Sequence, residues 1–275
     1  MYLGPWFVQE YTLRIGGGVL AGLLWLWIAG PRRQFTHSQL TGLLWAVAAG
    51  ALLVGRVGYV AENVAYFAQH PLDVVRPWSV GGLHEIGTWL GGLAAAGIWA
   101  FRAKQPWMAV FTLLAPAALL VAAGGGWGCA AAGCAWGREA LSVPDSQRWL
   151  ISNGPDLYHT VMPRYPVQAA GALWALALAL AAMLMERCGL LAVTLYLTGM
   201  AALTFWRGDP VPMLGSQRLD TFLYLGLALS LWFLQWRAGS ISKSIISIIR
   251  GNFYHRDTES TEFFIFFSVF SVSLW

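Results

Sequence analysis

A histidine and a glutamate stand side by side at the start of an apolar stretch, where both could handle protons. His84 and Glu85 closely follow the glycines Gly81 and Gly82. A histidine beside a carboxylate is common in acid–base catalysis near neutral pH. Neighbouring helical residues point about 100° apart, so the two need not form one dyad. Each is a candidate for proton transfer, and the alternative for Glu85 is stabilisation of a helix N-terminus.

One arginine lies within an apolar stretch rather than at its end. Arg56 occupies the sequence VGRVGYVAEN, where a charge is costly unless a cavity, a partner or an anion receives it. Arginine suits bidentate recognition of phosphate. Arg56 is therefore a candidate for binding an anionic group, and an ion pair with Glu62 or Glu85 is the structural alternative.

Polar loops beside the apolar stretches carry further arginines. Several arginines that converge at the boundary of a membrane would bind a lipid headgroup, whereas an ordinary solvated rim is the alternative. The candidates in these loops are Arg138, Arg164, Gln168 and Arg207.

The segment from Gly124 to Arg138, GGGWGCAAAGCAWGR, consists mostly of small side chains. Small residues let backbones or a ligand approach closely, and we expect a membrane helix to meet the outer-face site here. Cys129 and Cys134 lack the C-x-x-C spacing and the histidine pair of a zinc site. With Cys188 they are too few for a disulfide framework, so we predict small buried thiols in a tight turn.

The composition indicates a membrane protein. Of the 275 residues, 57% are hydrophobic and 11% charged, and the mean hydropathy is +0.57. Soluble domains carry about a quarter charged residues. The net charge of +4 is spread among loops, which favours anchoring on the cytoplasmic side over nucleic-acid binding. We therefore predict an all-α polytopic membrane protein.

Seven apolar stretches are long enough to cross a bilayer as helices. Short basic connections follow the first, third and fifth of them, which marks these connections as cytoplasmic. The N-terminus is then outside and the C-terminus inside. The halves share no repeat, which disfavours an inverted-repeat transporter. We place the spans at residues 9–30, 40–61, 84–101, 107–127, 167–185, 189–206 and 219–236.

The residue usage changes abruptly near the end of the chain. The segment 239–275 contains no alanine, is rich in Ser, Ile and Phe, and ends in FFIFFSVFSVSLW. We therefore divide the chain into a transmembrane domain, residues 1–238, and an atypical tail, residues 239–275, that is non-native or disordered and has no assigned function.

Several motifs, taken in chain order, resemble those of a known enzyme family. They are GRVGYV, the double glycines between Trp78 and Gly92, the pattern G-x-G-C-x-x-x-G-C-x-x-G-R, MPRYPVQ, and FWRGDP followed by Gln217. Over residues 5–236 they are similar to the motifs of bacterial prolipoprotein diacylglyceryl transferase. The resemblance implies the same seven-span, N-out arrangement, in the bacterial inner (cytoplasmic) membrane.

The resemblance also implies an activity and its partners. The family transfers the diacylglyceryl group of phosphatidylglycerol to the lipobox cysteine thiol of a preprolipoprotein and releases glycerol phosphate. The partners would be phosphatidylglycerol, the signal peptide with its lipobox cysteine, and the lipid bilayer, without a metal or other cofactor. The substrate-binding side chains would be Arg56, Arg138, Arg164, Gln168 and Arg207, and Tyr11 would be catalytic. His84 and Glu85, singled out above by their own chemistry, are the other catalytic candidates.

The chain departs from the family pattern at several polar positions. Where the family pattern has arginines, this chain has Gly126 and Met200, and where the pattern has acids it has Cys134 and Thr204. The family's asparagine is replaced by Cys129 and its histidine by Ile86. One interpretation is a divergent transferase in which His84, Glu85 and Arg56 replace the lost groups. The alternative is a catalytically inactive lipid-binding or scaffold homologue.

Overall fold

The computed structural model describes residues 2–3, 6–7, 9–76, 82–156, 158, 160–185, 188–237 and 239. Apart from Gly239, the predicted tail lies outside the described residues. By compactness the chain divides into two units, residues 1–233 and 234–275. The fold described below is that of the first unit, and its last helix continues beyond the boundary.

The described part of the chain is mainly helical. The α-helices are α1 (Glu10–Arg32), α2 (His37–Glu62), α3 (Val64–Gln69), α4 (Glu85–Arg102), α5 (Trp107–Ala132), α6 (Val167–Leu184), α7 (Gly189–Leu203) and α8 (Leu219–Arg237). Short 3-10 helices span Pro71–Val75, Asp145–Leu150 and Thr204–Trp206. Antiparallel strand pairs join β1 (Tyr2–Leu3) to β2 (Trp6–Phe7), β3 (Ser152–Pro155) to β4 (Val161–Arg164), and β5 (Met213–Leu214) to β6 (Gln217–Arg218).

Local sequence signals explain several helix ends. The side chain of Thr36 accepts a hydrogen bond from the backbone N–H of Gln39, whose side chain accepts one from the backbone of Thr36, so a capping box starts α2. Helix α5 ends at Gly133, which has a φ of 70°. Glycine adopts this left-handed conformation without the penalty that a Cβ would bring.

Among the described residues, six helices are long and apolar enough to cross a membrane. They are α1, α2, α5, α6, the helical stretch Gly189–Trp206 and α8. Helix α4 carries a charge at each end, Glu85 and Arg102, and is not among the six. The chain is thus a polytopic, all-α membrane protein by the length and composition of its helices.

Glycines let two helix pairs approach closely. Where α1 meets α5, a Cβ placed on Gly18 would lie 2.5 Å from the carbonyl oxygen of Leu120. Where α2 meets α4, a Cβ on Gly91 would overlap the carbonyl oxygen of Gly50. Such approach increases van der Waals contact between helices in a membrane, where burial from water contributes little to their association.

Helix α5 lies at the centre of the apolar packing. Leu113 and Ala117 belong to a cluster of buried side chains with α1, α2 and α4. Ala115 and Leu119 belong to another with α6, α7 and α8. A helix that is apolar all round is expected in such a buried position.

Because of the α2–α4 contact, we expect alanine substitutions at the two neighbouring glycines of α4 to have different effects on stability. Gly91→Ala should lower the thermal unfolding midpoint of the detergent-solubilised protein, because the added methyl overpacks the interface at a cost of about 1–3 kcal/mol. Gly92→Ala is the matched control, since its nearest neighbours would lie 3.7 Å away. Equal midpoints for the two variants would contradict this account of the packing.

Candidate functional site

The predicted site residues lie at one end of the helix bundle. Helices α1, α4, α6 and α8 begin at this end, which we name the site end, and α2, α5 and α7 finish there. An extended segment after α5, Trp136–Ala140, crosses the site end. We name this segment the central ribbon.

The central ribbon is hydrogen-bonded to the chain on both sides. On one side, the backbone N–H of Arg138 donates to the carbonyl of Trp206 (2.8 Å), and that of Gly208 donates to Trp136 (2.8 Å). On the other side, Ala140 donates to Pro163 (2.9 Å) and Tyr165 donates to Arg138 (3.3 Å). The ribbon thereby joins the end of α7 to β4 and the start of α6.

Strand geometry then decides which arginines share a face. Gly137 pairs with Arg207 and Glu139 with Arg164 in antiparallel bridges. Successive side chains of an extended segment alternate between faces, so Arg207 and Arg164 lie on the face of Gly137 and Glu139. Arg138 lies on the opposite face. The structure therefore places the three predicted arginines on adjacent segments, but in two groups.

Arg207 belongs to a compact network of two arginines and two aspartates. It donates to both carboxylate oxygens of Asp209 (2.9 and 2.7 Å) and lies 3.6 Å from Asp220. Arg218 pairs with the same two aspartates at 3.3 and 3.0 Å. Burial works to lower the pKa of Arg207, but the hydrogen bonds and charge of Asp209 outweigh it and raise this pKa above its ordinary value.

Arg164 is buried beneath the β3–β4 hairpin. Its guanidinium lies 3.0 Å from Asp156 and 3.5 Å from Glu139. The neighbouring Gln168, in the first turn of α6, donates to the carbonyl oxygen of Cys134 at 3.1 Å. These contacts tie β4 and α6 to the end of α5.

Arg138 has a different environment. Its side chain is exposed, and its guanidinium packs on the ring of Tyr165, 5.7 Å from the ring centre. Within the described part of the chain no acidic side chain forms an ion pair with it. Arg138 therefore keeps both its charge and its access to a ligand.

Arg56 holds the loop that precedes α4. Its side chain is buried, and it donates to the backbone carbonyl oxygens of Val74 (2.9 Å), Gly82 (3.2 Å) and Asp73. The guanidinium also lies 5.2 Å from the ring centre of Phe67. These contacts satisfy a buried charge through peptide dipoles, as a charge within an apolar stretch requires.

His84 caps helix α4. Its Nδ1 accepts a hydrogen bond from the backbone N–H of Gly87 (3.0 Å), and its Nε2 lies 3.2 Å from a carboxylate oxygen of Glu62. An accepting Nδ1 carries no proton, so the neutral ring donates through Nε2 to Glu62. Both ring nitrogens are thus engaged, and the carboxylate that contacts His84 is Glu62, one of the two suggested as a partner for Arg56.

Glu85 lies among three tyrosines from different helices. The hydroxyl of Tyr196 donates to the Glu85 carboxylate at 3.1 Å. Tyr11 and Tyr224 lie within range of its charge, as does Arg207. Tyr196 and Tyr224 are buried, whereas Glu85 is exposed. We name this group the Glu85 cluster; it brings Tyr11, Glu85 and Arg207 together from distant parts of the sequence.

Sequence reasoning missed Tyr196 and Tyr224. Each lies within an apolar helix, where a tyrosine is easily interpreted as an ordinary membrane aromatic. No charge lies near Tyr196 in the sequence, because its partner Glu85 lies 111 residues before it. Tyr224 does follow Asp220 by four residues, but that aspartate pairs with Arg207 and Arg218.

The prediction of separate thiols in the small-residue segment was wrong. Cys129 and Cys134 form a disulfide, with Cα atoms 4.7 Å apart. The left-handed Gly133 turns the chain back at the end of α5, and the backbone N–H of Cys134 donates to the carbonyl of Cys129 (3.1 Å). The disulfide thus joins the last turn of α5 to a residue just beyond its C-terminus. The small number of cysteines gave no indication of this pairing.

Two departures from the family pattern are filled by helix packing. A Cβ on Gly126 would lie 3.1 Å from both the carbonyl oxygen of Gln168 and the Cβ of Ala172, in α6. The sulfur of Met200 would lie 3.2 Å from a Cβ on Gly171. The positions where the resemblance implies arginines are therefore occupied by close contacts of α6 with α5 and α7.

Comparison with known proteins gives one consistent result. The family model described as prolipoprotein diacylglyceryl transferase matches residues 1–244. Phosphatidylglycerol–prolipoprotein diacylglyceryl transferase of Burkholderia pseudomallei (strain 668) is 28% identical over 195 residues, and that of Burkholderia mallei (strain SAVP1) is 30% identical over the same length. The homologue of Burkholderia thailandensis is also 30% identical. Each match covers 61% of this chain and 66% of the relative, slightly less than two thirds of its length.

The disulfide should contribute measurably to stability. Replacing both Cys129 and Cys134 with serine should destabilise the protein by about 2 kcal/mol, because a short closed loop restricts the unfolded chain. Thermal unfolding in detergent measures the effect as a lower midpoint. A reductant should lower the midpoint of the unmodified protein and leave that of the double variant unchanged. Equal sensitivity of the two proteins to reductant would show that the sulfurs are not bonded.

Proposed function

This chain belongs to the prolipoprotein diacylglyceryl transferase family, and from that premise we propose that it transfers the diacylglyceryl group of phosphatidylglycerol to the lipobox cysteine of prolipoproteins. The names of its relatives support both substrates. The observation that carries the proposal is the accessible carboxylate of Glu85, which accepts a hydrogen bond from Tyr196 at the site end of a membrane bundle and lies within range of the charge of Arg207.

The proposed setting is the bacterial inner membrane, crossed seven times. Helix α4 serves as the additional span, because it packs against α2 along the Gly50–Gly91 contact although its ends are charged. With the N-terminus outside, the site end faces the outer leaflet. Phosphatidylglycerol and the signal peptide then reach the site from the bilayer, and the C-terminus of the transmembrane domain is inside.

The proposed reaction begins with the acceptor thiol. The carboxylate of Glu85 takes the thiol proton, since a thiolate is the reactive nucleophile. The sulfur then forms a bond with the glyceryl carbon of the lipid while the bond from this carbon to the phosphate oxygen breaks. The electron pair stays on that oxygen, and glycerol phosphate leaves. Tyr196 holds the carboxylate in place by its hydrogen bond, and Tyr11 and Tyr224 lie within range of its charge.

Arg138 is the cation best suited to the lipid phosphate. It is exposed and has no acidic partner among the described side chains, so its charge is available to the leaving group. Arg207 lies on the adjacent segment but already contacts Asp209 and Asp220. We assign Arg138 to headgroup binding and Arg207 to positioning the ribbon beside Glu85. Arg164 and Gln168 support the site end from the side of the β3–β4 hairpin, through their contacts with Asp156 and with the carbonyl of Cys134.

Arg56 and His84 act on the site through the backbone. Arg56 fixes the loop before α4 by contacts with carbonyl groups, and His84 caps the first turn of the same helix. Glu85 is the first residue of α4, so both residues determine where its carboxylate lies. They are therefore positioning residues in this proposal.

A second candidate function is lipid binding without catalysis. It is favoured by the charge balance at the site end, where Arg207 and Arg218 face Asp209 and Asp220. A network of equal positive and negative charge offers less attraction to a phosphate than unpaired arginines would. Turnover by the purified protein separates this candidate from the transferase.

The role of Glu85 can be tested in liposomes of phosphatidylglycerol with a fluorescent lipobox peptide. Glu85→Gln should reduce the rate of lipid transfer by about 10²–10⁴-fold, because an amide cannot accept the thiol proton. Glu10→Gln is the control, since Glu10 is an exposed carboxylate at the same end of the bundle. A full rate in Glu85→Gln would remove Glu85 from the mechanism. No transfer by the inserted, stable wild-type protein would favour the lipid-binding alternative.

The role of Arg138 can be tested in the same assay. Arg138→Gln should reduce kcat/KM for phosphatidylglycerol by about tenfold or more, the loss expected for a charge-assisted contact of about 1.4 kcal/mol or more. Arg138→Lys should recover part of the loss, because it keeps the charge without the planar fork. An unchanged kcat/KM in Arg138→Gln would show that another group binds the phosphate.

A further inference from the structure

Helix α2 holds His84 at three points along one of its faces. The backbone N–H of His84 donates to the carbonyl oxygen of Gly55 at 2.9 Å. Its ring lies against Gly58, where an added Cβ would be 3.0 Å from Nδ1. Its Nε2 lies 3.2 Å from a carboxylate oxygen of Glu62. Gly55, Gly58 and Glu62 follow one another at steps of three and four residues, so they share one face of the helix.

The ring of His84 is an unusual helix cap. Its Nδ1 accepts from the backbone N–H of Gly87 at 3.0 Å, one of the donors that the first turn of an α-helix leaves without an intrahelical partner. Asparagine, aspartate and serine are the residues that usually cap a helix in this way. An imidazole does so only when Nδ1 carries no proton and the ring is directed at the donor. The cap of α4 therefore depends on what holds this ring.

Glu62 supplies that constraint. Its carboxylate accepts from the Nε2–H of His84, which leaves Nδ1 as the acceptor for Gly87. A hydrogen bond to one imidazole nitrogen sets both the tautomer and the orientation of the ring. The His84 side chain is only 16% exposed, so water has limited access to take the place of the carboxylate.

The cap determines where Glu85 lies. Glu85 is the first residue of α4 and follows His84 directly. Its carboxylate meets the hydroxyl of Tyr196 at 3.1 Å, on a helix distant in the sequence. The ends of helices fray when their first donors lose their partners. A first turn that frays would carry the Glu85 carboxylate away from this contact.

We propose that Glu62 is a positioning residue for the transfer reaction, acting through the ring of His84 and the cap of α4 to hold the carboxylate of Glu85. The proposal rests on the proposed transferase function and adds to it a residue that touches neither the lipid nor the thiol. A proton relay from Glu85 through His84 is a different mechanism, because it would need the acidic group of Glu62 and not only an acceptor oxygen.

The two mechanisms differ in the liposome assay with the fluorescent lipobox peptide. Glu62→Leu should reduce kcat by about tenfold and leave KM for phosphatidylglycerol unchanged, because it misplaces the base without touching the headgroup site. Glu62→Gln should recover most of this loss, since its amide oxygen also accepts from Nε2–H. Glu10→Leu is the matched control, because Glu10 is an exposed carboxylate at the same end of the bundle. A full kcat in Glu62→Leu overturns the proposal, as do equal losses in Glu62→Leu and Glu62→Gln.

A cap that needs no orienting partner should make Glu62 dispensable. Asparagine caps a helix directly through its short side chain. In a His84→Asn protein, Glu62→Leu should therefore have no further effect on kcat, and the double variant should be faster than Glu62→Leu alone. Additive losses would show that Glu62 acts independently of the cap. A His84→Asn protein slower than Glu62→Leu also overturns the proposal, because the reaction would then need the ring itself.

Thermal unfolding in detergent distinguishes failure of this proposal from failure of the transferase function. Glu62→Leu should lower the midpoint of the wild-type protein and leave that of His84→Asn unchanged, because only the imidazole cap depends on Glu62. Equal shifts in the two proteins overturn the link between Glu62 and the cap, whether or not lipid is transferred. With that link present, a lack of transfer by the inserted, stable wild-type protein removes the transferase function and the role of Glu62 in it.

Discussion

The hydrogen bonds of the central ribbon hold the site end together. Trp136–Ala140 is paired with the segment after α7 on one side and with β4 on the other. Gly137 lies between them, and a Cβ on it would overlap the carbonyl oxygen of Tyr165. A side chain at this position would force the ribbon away from its neighbour. The spacing of Arg138, Arg164 and Arg207 depends on this contact between backbones.

The electrostatics of the site end follow from that arrangement. Alternation along the ribbon turns Arg207 and Arg164 toward acidic partners and leaves Arg138 on the other face. Buried arginines need such partners, since an unpaired charge of low exposure is strongly disfavoured. The pairing offsets the cost of burying these charges and at the same time reduces the number of cations that can meet a phosphate. The exposed Arg138 and the accessible Glu85 therefore carry the proposed chemistry.

At several of the positions that depart from the family pattern, the residues connect neighbouring helices. Gly126 and Met200 are packed against α6, and Cys129 is joined to Cys134 by a covalent bond. Thr204 is buried, with its hydroxyl oxygen 2.7 Å from that of Thr221 in α8. Close packing, a disulfide and a short hydrogen bond thus connect the helices at positions where the resemblance implies larger or more polar groups.

The sequence by itself determined the membrane class, the family and the approximate limits of the helices, because these depend on hydropathy and on motifs that are local in the chain. It also predicted that Arg138, Arg164, Gln168 and Arg207 lie in polar loops at the membrane boundary, since span order decides which helix ends coincide. Only the tertiary structure decided the partners of each side chain. The pairing of His84 with Glu62, of Arg56 with loop carbonyls and of Glu85 with Tyr196 depends on side-chain direction and on helices far apart in sequence. The disulfide likewise depends on the left-handed turn at Gly133, which brings Cys134 back over the end of α5.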